Sequence, residues 1–424
     1  MDEGDEGRSS RGEGRSEGEG RSENDARSNG GKGRSEGEGR SENDGRSNRG
    51  RGRSEGEGRS PEGRSQEDQG RPRKHTLRDV AAEAGVSIGT ASNAFNRPDL
   101  ISEGLRDRVF EAASRLGYGG PDPAARRLRT GRTGALGLIF TDRLPYAFDD
   151  EAAVLFLRGV AGALENSGAG LLLIPTSPTR EEGSRVVRGA AVDGFIVFST
   201  PTGDPRLEAA LARGLPTITV DEPYDVPTPF IGINDRAGAE AAGRHLVDLG
   251  HRRVAVITFP EYARDDRTLP FDVARERLAG YRAALGDAFD PGLVFTAYTN
   301  HPGAGKRLLG EMLDIDPIPT AVLVTSDALA SGVMRGAFEA GLRVPDDLSV
   351  VGFDGVPSAE LTDPPLTTVA QPIEHKGELT ARALLSALAA ENSDLPPGSP
   401  AEPPKRTILP TELVIRGTTG PPPG

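Results

Sequence analysis

Apolar runs alternate with stretches of helical periodicity between residues 134 and 354, and this alternation constrains the fold more than any other feature. Eight runs have the length and composition of buried strands: GALGLIF (134–140), GLLLIP (170–175), GFIVFS (194–199), PTITVD (216–221), RVAVITF (253–259), GLVFTAY (292–298), AVLVTS (321–326) and LSVVGFD (348–354). Strands that alternate with helices form parallel sheets covered on both faces. Eight strands are more than one such sheet holds comfortably, so the sequence predicts two similar lobes with a cleft between them.

A compact helical unit is predicted before the strands. Apolar residues recur at three- and four-residue spacing from Leu77 onward, and Gly85 supplies a turn. Ser87 is placed to cap a second helix, and Gly117 is placed to end a third. Three short helices with a tight glycine turn make a helix-turn-helix unit.

The first 70 residues contain a tandem repeat with a period of 19 residues, whose copies begin at Gly14, Gly33 and Gly52. The repeats offer almost nothing apolar to bury, so stacked units cannot form a core. Acidic residues interleave with the arginines and nearly cancel them, which favours a solvated tail over a nucleic-acid tether. We therefore predict a disordered tail over residues 1–70.

The net charge of −13 divides unevenly along the chain. Residues 1–70 hold 14 basic and 18 acidic residues, residues 71–132 hold 12 and 7, and residues 133–424 hold 25 and 39, which gives net charges of −4, +5 and −14. Contacts with nucleic-acid phosphates are therefore expected only in the middle segment.

The sequence lacks the residue patterns of zinc sites, disulfides and common catalytic sites. Cysteine is absent, and none of the five histidines is spaced from another like a pair of zinc ligands. No nucleophile, base and orienting group stand at a recognisable spacing, so we expect neither an enzyme nor a bound metal or cofactor. No run of about 18 apolar residues and no secretory signal occur, which predicts a cytoplasmic protein without a membrane partner.

Longer motifs resemble one known family. The head and its linker are TLRDVAAEAGVSIGTASNAFNRPDLISEGLRDRVFEAASRLGYGGPDPAARRLRTGRTGALGLIF, and the core contains NDRAGAEAAGRHLVDLGHRRVAVI and SDALASGVMRGAFEAGLRVPDDLSVVGFDG. From about residue 75 to residue 420 the chain closely resembles the lactose-repressor (LacI/GalR) family, whereas the 19-residue repeats do not. The resemblance implies a small all-α helix-turn-helix head and an α/β two-lobed, periplasmic-binding-protein-like core of doubly wound parallel sheets.

The resemblance also implies domain boundaries. The head would span 75–121, the hinge helix and linker 122–132, and the two-lobed ligand-binding and dimerisation domain 133–420. Within that domain, lobe 1 would take about 133–232 and 373–392, and lobe 2 about 233–372 and 405–416.

In relatives of this kind the second helix of the head lies in the major groove of DNA. The resemblance places Ile88, Gly89 and Asn93 at the positions that select bases. An apolar side chain can contact a thymine methyl group, and an asparagine can bond a base edge or a phosphate. Four further polar residues are expected to contact phosphates or to cap the helix and not to read bases: Ser87, Thr90, Ser92 and Asn96.

The resemblance implies that the basic segment after Asp122 forms a hinge helix when two subunits sit on operator DNA. Leu128 would wedge between base pairs in the minor groove with Ala125 beside it, and Arg126 and Arg129 would add positive charge. A plain basic linker is the alternative.

A small ligand is expected in the cleft, at the carboxyl ends of the strands. Arg277 and Asp354 match positions that bind sugar hydroxyls or ligand anions in relatives. The sequence adds candidates at other strand ends and in the loop after the first strand: Asp221, Ser326, Tyr146 and Phe148.

The function implied is a dimeric, ligand-responsive transcription regulator, a repressor that a sugar-like inducer releases from a near-palindromic operator. A corepressor-dependent regulator of the same family stays open as an alternative. A solute-binding protein or an enzyme built on the two-lobed core is less favoured.

Overall fold

The computed structural model describes residues 75–121, 131–140, 144–175, 180–260, 271–390 and 405–424. Predictions for the tail (1–70) and for the hinge segment (122–130) lie outside these residues. They therefore stay predictions.

The described residues contain a helical head followed by two sheets with their helices. The helices are α1 (Leu77–Ala84), α2 (Ile88–Asn96), α3 (Glu103–Leu116), α4 (Tyr146–Asp149), α5 (Glu151–Leu164), α6 (Arg180–Gly189), α7 (Pro205–Leu211), α8 (Asp235–Asp248), α9 (Asp272–Leu285), α10 (Pro302–Leu313), α11 (Asp327–Glu339) and α12 (Ile373–Ala390). The strands are β1 (Ala135–Phe140), β2 (Gly170–Ile174), β3 (Gly194–Phe198), β4 (Thr217–Val220), β5 (Phe230–Ile233), β6 (Val254–Thr258), β7 (Val294–Thr296), β8 (Ala321–Val324), β9 (Ser349–Asp354), β10 (Thr367–Ala370), β11 (Arg406–Leu409) and β12 (Glu412–Val414).

The head forms because its helix ends are well capped. The Thr76 backbone N–H donates to the Asp79 carboxylate at 2.8 Å, and the Ser87 hydroxyl accepts from the Thr90 backbone N–H at 3.0 Å. Gly85 and Gly117 end α1 and α3 in the left-handed region, as the sequence predicts. The three helices bury a small apolar core of Val80, Ala81, Ala84, Ala91, Ala94, Val109, Ala112 and Ala113.

Two six-stranded sheets define the two lobes. The first has the order β11-β5-β4-β3-β1-β2 and is parallel throughout, and the second has the order β12-β10-β9-β8-β6-β7. In the second sheet only β12 runs antiparallel, beside β10. Strands β3, β6 and β8 are buried at every position, as expected for sheets with both faces covered.

The predicted fold class is confirmed, and all eight predicted strands are present with shorter ends. Four strands were not predicted: β5, β10, β11 and β12. The prediction that residues 405–416 belong to lobe 2 is wrong for β11, which pairs with β5 in lobe 1. A strand joins a sheet edge through backbone hydrogen bonds, and the side chains of a four-residue strand do not show which edge it joins.

Helices α10 and α11 approach closely because glycines lie where they meet. A Cβ atom added at Gly305 of α10 would clash with the Leu329 carbonyl oxygen, and one added at Gly332 of α11 would clash with the Pro302 carbonyl oxygen. Neither backbone can move aside without separating the helices. The two glycines therefore set the spacing of this helix pair.

This contact predicts opposite effects for two glycines of α10. Gly305→Ala should destabilise the protein by roughly 2–4 kcal/mol, because the new methyl group must push α11 away. Gly310→Ala is the control, since an added Cβ there meets nothing within 4 Å, and it should stabilise by up to about 1 kcal/mol through helix propensity. Chemical denaturation of the intact protein measures both, and equal effects would contradict the close-approach argument.

Candidate functional site

A cavity of about 160 Å³ lies at the carboxyl ends of strands from both sheets. An apolar cavity of about 150 Å³ holds a six-membered ring such as benzene. The strand ends of lobe 1 contribute Phe140, Ser199 and Asp221, and those of lobe 2 contribute Phe259, Ser326 and Asp354. This is the crevice where open parallel sheets bind ligands.

Three residues lining the cavity have strained backbones. Ser199, Asp221 and Asp354 have φ angles of 48°, 64° and 120°, and among the described residues no other non-glycine has a positive φ. Each such conformation costs about 1–3 kcal/mol and persists only where the surrounding structure enforces it. Strain confined to three strand ends around one cavity is typical of a functional site.

A chain of charged and polar groups crosses the cavity wall. The Lys376 ammonium group of α12 lies 2.7 Å from both carboxylate oxygens of Asp221, and it also donates to Gln371 Oε1 at 2.7 Å. The Gln371 side-chain amide donates to Asp354 Oδ1 at 2.7 Å. Burial raises the pKa of Asp354 well above its usual value, although the Arg277 guanidinium opposes this.

Arg277 is held by lobe 2 from several sides. Its Nε donates to Asp235 Oδ1 at 2.7 Å, its Nη1 donates to the Thr325 carbonyl at 2.5 Å, and Asp354 Oδ1 lies 3.7 Å from Nη1. Its guanidinium stacks 3.7 Å above the centre of the Phe353 ring. Burial alone opposes its charge, but Asp235 and Asp354 raise its pKa. Arg277 therefore remains a cation, with its Nε engaged by Asp235 and its Nη1 by the Thr325 carbonyl.

Aromatic rings supply the apolar part of the wall. Phe198 stacks on Phe156 with ring centres 4.1 Å apart and meets Phe140 edge-on at 5.6 Å. The ring centres of Phe259, which follows β6, and Phe271, which precedes α9, lie 6.0 Å apart. Such a wall suits a ligand with an apolar ring face.

The structure brings four of the six predicted ligand residues together. Arg277, Asp354, Asp221 and Ser326 all line the cavity. Phe148 is exposed and is not part of the lining, which contradicts its predicted stacking role in this conformation. The loop turns into the short helix α4, which places the ring in solvent. The Tyr146 side chain lies outside the described part of the structure.

Sequence reasoning missed Lys376 and Gln371. A signal for Lys376 was present, because it falls on the buried stripe of α12, whose other members are Ile373, Gly377, Thr380, Ala381, Leu384 and Leu388. A lysine on such a stripe needs a buried carboxylate partner. The sequence could not show that the partner is Asp221, which lies 155 residues earlier.

A second carboxylate lies beneath the cavity and joins the lobes. Glu222 of lobe 1 is fully buried, accepts from the Asp272 backbone N–H at the start of α9 at 2.8 Å, and hydrogen-bonds Ser199 at 3.2 Å. In return the Asp272 carboxylate accepts from the Tyr224 backbone N–H at 2.9 Å. Burial raises the pKa of Glu222 to about 8.

The head presents the N-terminus of α2 to solvent. Ile88 is 51% exposed and Gly89 is also exposed, whereas Asn93 is half-buried. The positive end of the helix dipole makes a helix N-terminus a suitable place for an anion. The geometry fits the predicted groove contacts, which stay predictions.

The flanking polar residues of α2 are engaged within the helix. Ser87 caps it and lies 2.8 Å from the Thr90 hydroxyl. The Asn96 side chain donates to the Ser92 carbonyl at 2.9 Å. This agrees with the capping alternative for Ser87, and their phosphate contacts stay predictions.

Most basic residues of the middle segment come before or after the head in the sequence. Residues 75–121 hold 5 basic and 6 acidic residues, so the remaining basic residues are Arg71, Arg73, Lys74, Arg126, Arg127, Arg129 and Arg132. Attraction to phosphates would therefore come mainly from the two flanks.

Two further classes of site receive no support from the described residues. Those residues contain no group of three or more His, Asp or Glu side chains that could hold a metal ion. Within the same ranges, no helix is both long and apolar enough to span a membrane.

Comparison with known proteins agrees with this architecture. The family model described as bacterial regulatory proteins of the lacI family matches residues 76–120, and the one described as a periplasmic binding protein-like domain matches residues 244–419. An HTH-type transcriptional regulator of Mycolicibacterium smegmatis is 41% identical over 371 residues, covering 83% of this chain and 98% of the relative. The ribose operon repressor of Escherichia coli K12 is 32% identical over 318 residues, covering 73% and 92%.

A solved structure gives the same picture. The crystal structure of the lac repressor dimer bound to operator and the anti-inducer ONPF is similar with a TM-score of 0.67 and 27% identity, covering 82% of this chain and 100% of that chain. Head, sheets and cavity thus define a DNA-binding transcriptional regulator with a periplasmic-binding-like core. The chain belongs to the LacI family of bacterial regulatory proteins, as its motifs predict.

The buried Glu222 predicts a pH dependence of stability. Because burial raises its pKa to about 8 in the folded protein, its stabilising contribution is fully present below its unfolded pKa and is lost as the pH rises from that value through 8. Glu222→Gln mimics the protonated form. It should match the native protein at pH 5 and exceed its stability by about 3 kcal/mol at pH 9.

Thermal and urea unfolding between pH 5 and pH 9 measure this difference. Glu165→Gln, at the exposed end of α5, serves as the control and should leave the pH profile unchanged. A Glu222→Gln protein that loses stability at high pH in parallel with the native protein would show that Glu222 is not the group responsible.

Proposed function

We propose that this protein is a dimeric repressor that binds a near-palindromic operator in the cytoplasm and is released when a small sugar-like inducer enters the cavity. Each head reads half of the operator, and the segment 122–132 forms paired hinge helices at its centre. The observation that carries the proposal is the combination of an exposed α2 N-terminus with a strained, polar cavity between two lobes of the same chain.

Several features support the effector part. The cavity combines aromatic rings with directed acceptors on Asp221 and Asp354, which suits a ring with apolar faces and hydroxyl edges. The ribose operon repressor and the operator-bound lac repressor, to which this chain is similar, are named for the same type of regulation.

Helix α12 offers a route from the cavity to the hinge segment. Ile373 and Lys376 near its N-terminus line the cavity. Near its C-terminus the Leu388 carbonyl accepts from the Arg132 guanidinium at 2.6 Å, and Arg132 is the last residue of the proposed linker. A ligand that binds one lobe arrangement better than the other would shift α12 and the linker together.

Selection of DNA fragments tests the operator part directly. The purified protein is mixed with sheared DNA from its own source at moderate salt without ligand, and the retained fragments are sequenced. We expect a short inverted repeat near a few genes. If no fragment is enriched until a metabolite pool is added, the regulator depends on a corepressor; if none is enriched in either case, the proposed operator recognition is wrong.

Two head variants should weaken binding to the selected fragments. Ile88→Ala and Asn93→Ala each remove a side chain proposed to meet a base edge, so each should reduce specific affinity about tenfold with little effect on non-specific DNA. Fluorescence anisotropy at fixed salt measures both affinities. Ser114→Ala, an exposed change on α3, is the control. If Ile88→Ala and Asn93→Ala reduce specific affinity no more than this control does, the proposed groove contacts are wrong.

The hinge is tested by Leu128→Ala. Removing the wedge should weaken operator binding about tenfold and reduce DNA bending, because unstacked base pairs lose the side chain that holds them apart. Anisotropy and a bending assay on the selected fragment give the two readouts. Wild-type affinity and bending in this variant would support a plain linker.

A further inference from the structure

Lys376 is an unusual residue for its position. Its side chain is 1% exposed on the buried stripe of α12, yet its ammonium group lines the cavity. Lysine is almost never fully buried unless it is paired, and here both Asp221 oxygens lie 2.7 Å away. The pair is therefore part of the cavity wall.

Among the described residues, each cation that lines the cavity has a carboxylate partner. The described charged side chains that line it are the cations Arg277 and Lys376 and the carboxylates Asp150, Asp221 and Asp354. Lys376 is paired with Asp221, and Arg277 is bonded to Asp235 at 2.7 Å. A phosphate or carboxylate group that draws on these two cations competes with Asp221 and Asp235 for them and faces the side chains of Asp150 and Asp354.

The same groups favour a ligand that donates hydrogen bonds without carrying a charge. A carboxylate has about four lone-pair directions, so Asp221 can accept from a ligand hydroxyl while it stays paired with Lys376. An amine ligand that approaches Asp221 would come close to the Lys376 ammonium group, which lies 2.7 Å from both Asp221 oxygens, and would be repelled by it. The aromatic rings of Phe198 and Phe259 can cover the apolar face of a ring.

Resting on the proposed function, we infer that the Lys376–Asp221 pair selects the effector by charge. The cavity takes an uncharged ring with several hydroxyl groups and discriminates against the phosphate, carboxylate and amine forms of that ring. Lys376 is a specificity-determining residue, because it balances Asp221 and holds its oxygens in place.

The test changes the two charges separately. Lys376→Met leaves an unbalanced carboxylate, Asp221→Asn leaves an unbalanced ammonium group, and the double variant restores neutrality. Calorimetry on the intact protein uses common mono- and disaccharides, each with its phosphate ester, uronic acid and 2-amino form. Lys306→Met, which removes an exposed lysine paired with Glu339, is the control.

In the native protein a neutral sugar should bind, and its phosphate ester about 100-fold more weakly. Lys376→Met should raise the affinity for the amine form, relative to that for the neutral sugar, about tenfold. Asp221→Asn should raise the relative affinity for the phosphate and uronic acid forms by about the same factor. The double variant should restore the native order of ligand affinities, and Lys306→Met should leave that order unchanged. Circular dichroism establishes that each variant is folded, and Asp221→Asn, which preserves shape, carries the test if Lys376→Met does not fold.

Three outcomes would overturn the inference. A charged form could bind the native protein as tightly as its neutral parent, both single variants could keep the native order, or no sugar of any charge could bind. The fragment selection described above needs no ligand, so enrichment of an inverted repeat would leave the proposed regulator standing in each case.

Discussion

The pairing of buried charge at the junction of the two sheets is the constraint on which the rest of the structure depends. Ionised groups taken out of water are stable only with partners. The pairs Asp221–Lys376 in lobe 1 and Asp235–Arg277 in lobe 2 satisfy this requirement, and Gln371 joins Lys376 to Asp354 between them. The lobes must therefore meet in a defined arrangement, and a ligand that disturbs one pair acts on both lobes.

Backbone strain and helix placement follow from that constraint. The left-handed φ of Asp221 and the φ of 120° at Asp354 turn both carboxylates toward their partners at the strand ends. Glu222 holds the start of α9, the helix that carries Arg277, through the Asp272 backbone N–H. Helix α12 carries Lys376 at one end and, through Leu388, meets Arg132 at the other. A local exchange of hydrogen bonds in the cavity is thus connected to the linker of the DNA-binding head.

Much of this organisation could be predicted from the sequence. Apolar runs gave eight strands because buried parallel strands need continuous apolar residues, and Ser87, Gly85 and Gly117 gave the limits of the head helices through their capping preferences. Arg277 and Asp354 were predicted from the family resemblance, and Asp221 and Ser326 because the carboxyl ends of parallel strands converge. The strands β5, β10, β11 and β12 were missed because each has only three or four residues and pairs through its backbone with a strand elsewhere in the chain. Phe148 was assigned to the site wrongly, because nothing local shows which way a loop side chain points.

The sequence by itself determined the class of protein, the helix-turn-helix head, the parallel two-lobed core and the segment that carries net positive charge. Periodicity, capping and charge are local properties, so they can be read along a single chain. Tertiary structure alone decided that β11 belongs to lobe 1, that Lys376 pairs with Asp221, and that Glu222 is buried with its pKa raised to about 8. These features arise when residues distant in sequence are brought together away from water, where burial and the identity of the neighbouring charge decide each group's state.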